Sequence, residues 1–141
     1  MKAIILLFAA LCISCTSNNT ESLENDVVSE IANSAEYLEI RKTRQEILQA
    51  MLDKKFDANE ILSEIQKDNS FNTFCGISPK QFESKGIELY LSINCKLESQ
   101  LESLKTKYPS FSNLSQDQVY ELERTFNNLN KLPKPKIPTY E

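Results

Sequence analysis

Four cysteines, at positions 12, 15, 75 and 95, are the residues of this sequence whose type and spacing could do chemistry. A thiolate can attack, ligate a metal or oxidise to a disulfide. No Cys-x-x-Cys pair occurs, so neither a zinc ribbon nor a thioredoxin-type redox motif can be built. The chain has no histidine, which removes the commonest general base and the commonest transition-metal ligand. Two glycines cannot make a Gly-rich phosphate loop. The cysteines therefore divide into a pair at the N-terminus and a pair within the body, and each pair is read by its surroundings.

Carboxylates are the other reactive class, with 20 Asp and Glu against 16 Lys and Arg and a net charge of −4. Glu98 with Glu102, and Asp117 with Glu121, share helix faces at i, i+4. An acid–base dyad needs one member buried and perturbed. Both pairs lie off the apolar stripes, so they read as solvated faces. An enzyme is the least expected class, and no cofactor or metal is expected. The acidic balance, with no cluster of basic residues interleaved with aromatics, argues against a nucleic-acid partner.

The N-terminal pair closes the stretch Met1 to Cys15, MKAIILLFAALCISC. Lys2 gives a short positive start, and Ala3 to Ile13 is an unbroken apolar run. A membrane-spanning helix needs about 20 such residues, whereas this run has the size of a signal-peptide core. A small residue, Ser14, stands directly before Cys15. The segment Leu11-Cys12-Ile13-Ser14-Cys15 resembles the lipobox of bacterial lipoproteins, with Cys12 where leucine is usual. That resemblance covers the leader only. It implies cleavage before Cys15, a diacylglycerol on its thiol and, usually, acylation of its new amino group. Two or more acyl chains anchor a protein stably. The alternatives are ordinary secretion with cleavage after Ser14, which leaves Cys15 as an odd thiol, and an uncleaved signal anchor. Residues 1–14 are thus read as a signal peptide and 15–25, polar and without periodicity, as a lipidated cysteine and flexible tether.

Residues 26–132 read as one helical domain. A first helix is expected from Asp26 to about Phe56, on the stripe Val27, Ile31, Ala35, Leu38 and then Ile40, Ile47, Met51. The shift of that stripe predicts a turned face or a kink near Arg41 to Arg44. Asp57, with Glu60 three residues on, caps a second helix carrying Ala58, Ile61, Leu62 and Ile65. Ser78-Pro79, with Gln81, opens a third, whose stripe Phe82, Leu89, Ile93, Leu97, Leu101, Leu104, Tyr108 ends at Pro109. Ser115, reciprocated by Gln118, caps a fourth with Val119, Leu122, Phe126 and Leu129 inside. The expected fold is all-α, a small four-helix bundle, or five helices if the third segment breaks near Gly86.

The body cysteines set a distance test for that break. An even pair outside the cytoplasm is usually oxidised. An unbroken helix from Pro79 to Cys95 would rise about 24 Å. The residues from Cys75 to Pro79 reach back at most about 14 Å, and bridged Cα atoms lie within about 7 Å. A Cys75–Cys95 disulfide and a continuous helix therefore exclude each other. A helix over 79–85 stopped by Gly86 in the left-handed region, with a new helix from Ile87, would let the cysteines meet. That is the favoured reading. Two small buried thiols in a continuous helix are the alternative.

Among the remaining features, Phe71, Phe74, Phe82, Tyr90, Phe111, Tyr120 and Phe126 could line an apolar groove but read as core. Whether the loop 69–77 is core or a docking surface stays open. Pro133, Pro135 and Pro138 punctuate a Pro-rich tail, 133–141, that cannot be helical. Their spacing could offer a polyproline II ligand, and a frayed end is the simpler reading. Asn18 and Asn113 head glycosylation-type triplets that matter only in a eukaryotic source.

The expected function is a membrane-anchored, extracytoplasmic, non-enzymatic protein-interaction module of the cell envelope. The outer membrane is favoured because Thr16 lacks the acidic character of the enterobacterial retention rule. Small helical lipoproteins with a disulfide resemble in outline the pilotins that escort secretins. Two other classes remain: an inhibitor or immunity protein against a basic toxin or hydrolase, and a carrier of an apolar ligand, which requires a cavity between the helices.

Overall fold

The computed structural model describes residues 21–67 and 73–137, with side chains described from Asp26 onward. The expected leader, the expected lipidation site Cys15 with its neighbour Cys12, Asn18, Phe71 and Pro138 lie outside the described residues. Among the described residues there are five α-helices and no strand. They are α1 (Glu21–Ala32), α2 (Ala35–Leu52), α3 (Ala58–Gln66), α4 (Ile87–Lys107) and α5 (Gln116–Leu129), with single 3-10 turns at Phe74–Gly76, Pro79–Gln81 and Pro109–Asn113. The fold is a small all-α bundle. Helix α1 begins at Glu21, inside the segment expected as tether.

The long first helix is two helices, and the break falls at Asn33–Ser34 rather than near Arg41 to Arg44, which sit inside unbroken α2. Ser34 makes the break. Its hydroxyl donates to the Ile31 carbonyl at 2.7 Å, closing α1, and accepts the Tyr37 N–H at 3.1 Å, capping α2. Such a cap contributes about 1 kcal/mol. The new helix starts in a new phase. Tyr37, Ile40, Thr43, Ile47 and Ala50 face inward, while Ala35 and Met51 face out.

The other caps follow the sequence. Asp57 accepts from the N–H groups of Asn59 (2.9 Å) and Glu60 (3.2 Å). Ser115 and Gln118 form the full reciprocal box at the head of α5. At the end of α2, Lys55 N–H bonds to Ala50 and Lys54 N–H to Met51, with Lys54 at φ 52°. That is the Schellman arrangement, with lysine where glycine is usual.

Helices α2 and α4 form the central antiparallel pair. Glu46 meets Lys96 at 3.1 Å and Glu36 meets Lys107 at 2.8 Å, so one helix descends as the other climbs. Helix α1 packs on α5. Ile31, Ile40, Ile61, Ile65, Tyr90, Leu104, Leu122 and Phe126 are fully buried in one core shared by all five helices. Each such side chain contributes about 1.5–3 kcal/mol relative to exposure. Leu89 and Leu129, expected inside, are exposed. Among the described residues, no helix is long and apolar enough to cross a membrane.

Candidate functional site

Cys75 and Cys95 are bridged, with Cα atoms 4.6 Å apart. The break that permits this is where the distance test put it. Gly86 stands at φ 77°, and α4 begins at the next residue. The segment before it differs from expectation. Ser78-Pro79 opens only one 3-10 turn, Pro79–Gln81, and the Ser78 side chain makes no cap bond. No helix covers 79–85, because Phe82 turns to extended backbone and Glu83 and Ser84 spend their N–H groups elsewhere.

Both N–H groups go to one carboxylate. Glu64, on α3, accepts from Glu83 N–H at 3.0 Å, from Ser84 N–H at 3.1 Å and from the Ser84 hydroxyl. The hydroxyl bond, then the backbone bonds, hold the Glu64 carboxyl below the usual range. Glu98, on α4, does the same for the other turn, accepting from Phe74 N–H at 2.8 Å and Cys75 N–H at 3.3 Å. Glu98 is therefore a cap on the disulfide-bearing turn, not an idle solvated carboxylate. Its expected neighbour Glu102 pairs instead with Lys105 at 2.9 Å. Glu121 pairs with Arg124 at 2.7 Å, which lowers its carboxyl, and Asp117 is exposed. Neither pair is brought together as an acid–base dyad.

The aromatics are mostly core. Tyr90 is the hub, with Phe56 and Phe74 edge-on to it at 5.2 and 5.8 Å between ring centres. Phe74 and Ile77 are buried and belong to the core, while Thr73, Cys75 and Gly76 of the same loop are exposed. Phe82 and Phe111 pack half-buried against it, Phe126 is inside and Tyr120 is exposed. Burial pushes the Tyr90 phenol up to about 12. Among the described residues, no group of three or more His, Cys, Asp or Glu could hold a metal ion.

A polar cluster joins α2 to α5. Glu123 accepts the Tyr37 hydroxyl at 2.7 Å and pairs with Arg41, while Arg44 stands at 3.6 Å. Arg41 also lies over the Phe126 ring, 5.2 Å from its centre. Sequence reasoning missed this cluster, whose only local sign is the spacing of Tyr37, Arg41 and Arg44 along one helix face.

The tail is a second correction. Residues 133–137 are not frayed but seated on α2. Gln45 donates to the Pro133 carbonyl at 2.9 Å. The Gln49 amide grips Lys136 from both sides, donating to its carbonyl at 3.0 Å and accepting its N–H at 2.8 Å. The same Gln49 amide nitrogen donates to Asp53 at 2.8 Å, which fixes its orientation. Leu132 packs against the core just before the seat.

No family model, curated protein or solved structure matches this chain.

Proposed function

We propose that this chain is a lipid-anchored, extracytoplasmic interaction module of the cell envelope, held at Cys15 and acting by binding a protein partner rather than by chemistry. The Cys75–Cys95 disulfide carries the compartment part of this reading. Cytosolic thiols are kept reduced, whereas extracytoplasmic pairs persist oxidised. A leader of signal-peptide size ending in Ser14-Cys15 supports the anchor. The bundle itself suits a binding role. Its caps, disulfide and two loop-gripping carboxylates fix the backbone between the helices, and a rigid surface loses little entropy on binding.

Intact mass of the protein extracted from its native membrane, with and without reductant, tests this. The expected mass is residues 15–141 plus acyl groups, with two thiols labelled only after reduction. A soluble product without lipid would remove the anchor. Two free thiols before reduction would remove the compartment.

A further inference from the structure

We propose that the end of the bundle where α2 and α5 finish and α4 starts is a membrane-facing surface that rests on an anionic phospholipid bilayer. This rests on the lipid-anchored reading and adds to it how the folded body meets the membrane.

The topology brings these ends together. Helices α2 and α4 run antiparallel, as the pairs Glu46–Lys96 and Glu36–Lys107 require. Helix α5 runs parallel to α2, because Tyr37 meets Glu123 and, one turn further along both, Arg41 meets Asn127. Gln49 then holds Lys136 by its N–H and carbonyl, which sets Ile137 beside the last turn of α2. Gly86, just before α4, lies against the Lys55 carbonyl, just after α2.

Five of the six large apolar side chains exposed among the described residues fall at this end: Leu48, Met51, Leu89, Leu129 and Ile137. The sixth, Tyr120, lies near the start of α5, towards the other end. Charge follows the same division. Lys54, Lys55, Lys85, Lys131, Lys134 and Lys136 are exposed here, against Asp53, Asp57 and Glu88 in the same segments, 48–57, 85–89 and 129–137. The end is basic on a chain whose net charge is −4.

Exposed apolar side chains among lysines match the chemistry of a bilayer surface. The apolar groups enter the boundary between headgroups and acyl chains, and the cations meet anionic headgroups. The five side chains stand on four separate segments, so a flat, yielding surface reaches them together where a rigid partner needs a matching shape. Depth fits as well. Leu48 lies one turn, about 5.4 Å, before the end of α2, and interfacial apolar groups sink about 5–10 Å. An anchor at Cys15 would stand six residues before Glu21, at most about 22 Å of chain. Such a tether holds the body near the bilayer at an effective concentration of about mM, so a weak surface suffices.

The test uses the mature chain, residues 15–141, made with Cys15→Ser so that it carries no acyl group. The probes are vesicles of phosphatidylcholine alone and of phosphatidylcholine with phosphatidylglycerol in equal parts, read by co-sedimentation at low salt. The mixed vesicles should bind the chain at least about tenfold more tightly than the neutral ones. Leu129→Ser with Ile137→Ser, the two most exposed apolar residues of this end, should weaken that binding by about tenfold. Lys131→Gln, Lys134→Gln and Lys136→Gln together should weaken it by roughly a hundredfold. Tyr120→Ser, at the other end, should leave it unchanged, and circular dichroism should give all variants the native helix content. Mixed vesicles that bind no chain, neutral vesicles that bind equally well, or a loss with Tyr120→Ser as large as with Leu129→Ser and Ile137→Ser would each overturn the proposal. A dimer in solution that dissociates with Leu129→Ser and Ile137→Ser would assign this end to a second copy and overturn it too. The chain tested has no lipid of its own, so absence of the anchor leaves these results untouched and the two proposals fail separately.

Discussion

The Tyr37 hydroxyl donates to the Glu123 carboxylate at 2.7 Å, joining residues from the second and last helices beneath the Arg41 guanidinium. The other fully buried tyrosine, Tyr90, has no protein hydrogen-bond partner for its hydroxyl among the described residues. Both phenols are buried, but Tyr37 ends in the Glu123–Arg41–Arg44 cluster whereas Tyr90 sits among Phe56 and Phe74. Both titrate high, chiefly because burial disfavours the charged form.

Removing each hydroxyl should therefore have opposite effects. Tyr37→Phe is expected to lose about 1 kcal/mol and Glu123→Ala about 2–3 kcal/mol, since the latter also strands Arg41 and the phenol. Tyr90→Phe should be neutral or stabilising by about 1 kcal/mol, because it deletes an unpaired buried hydroxyl while keeping both ring contacts. Urea unfolding midpoints of the three variants check this. A Tyr90→Phe variant as damaged as Tyr37→Phe would show that Tyr90 has a hidden partner.

Gly86 is required twice over. It holds φ 77°, and a Cβ there would run into the Lys55 carbonyl and lie 2.8 Å from Phe56 Cβ. The left-handed conformation alone costs an L-residue about 1–2 kcal/mol. Gly86→Ala should cost more than that, about 3 kcal/mol. Gly86→Asn separates the causes, because asparagine tolerates the conformation but still carries a Cβ. Thermal melts should show Asn nearly as damaging as Ala. A mild Asn variant would mean the Lys55 loop yields.

The disulfide closes a loop with a sequence separation of 20. Replacing both cysteines with serine should lower stability by about 3 kcal/mol through the freed unfolded chain. Glu98→Ala removes the cap on the same turn, so its effect in the disulfide-free background should differ from its effect alone. A double-mutant cycle in urea measures the coupling. Simple additivity would mean that cap and bridge act independently.

Acid should loosen the same region from its other side. The Glu64 carboxyl is lowered by the Ser84 hydroxyl and the Glu83 and Ser84 N–H groups. Its contribution is present above the ordinary glutamate value of 4.5 and is lost as pH falls through the lowered folded-state value. Glu64→Gln should flatten the pH dependence of stability below about pH 4.5, read as exchange of the Glu83 and Ser84 amides. An unchanged acid profile would place the sensitivity elsewhere.

What the sequence made legible is instructive at three places. The break at Gly86 followed from covalent reach once Cys75 and Cys95 are bridged, because a helix rising about 24 Å cannot be spanned by that bridge. The break at Ser34 was equally local, but a run of apolar residues at helical spacing passes through Ala35 and hid it. The phase of that run is real on each side, and only Ser34's two bonds show that there are two phases. The roles of Glu98, Glu64 and Gln49 were illegible for another reason. Each bonds backbone 19 to 87 positions away, and a backbone N–H leaves no mark on sequence. A carboxylate that grips a loop and one that faces water look the same until the chain is folded.

The pairing of α1 with α5 has a kinetic meaning. The first described helix rests on the last, so its apolar side, Val28, Ile31 and Ala32, lacks its α5 cover until residue 116 and beyond have been made. At about 5–20 residues per second, that wait lasts several seconds. Through it the nascent bundle is a core open at one end and unable to lock. Native closure is thereby deferred until synthesis is nearly complete. A chain cut short before α5 should be caught by proteases rather than accumulate as a smaller fold.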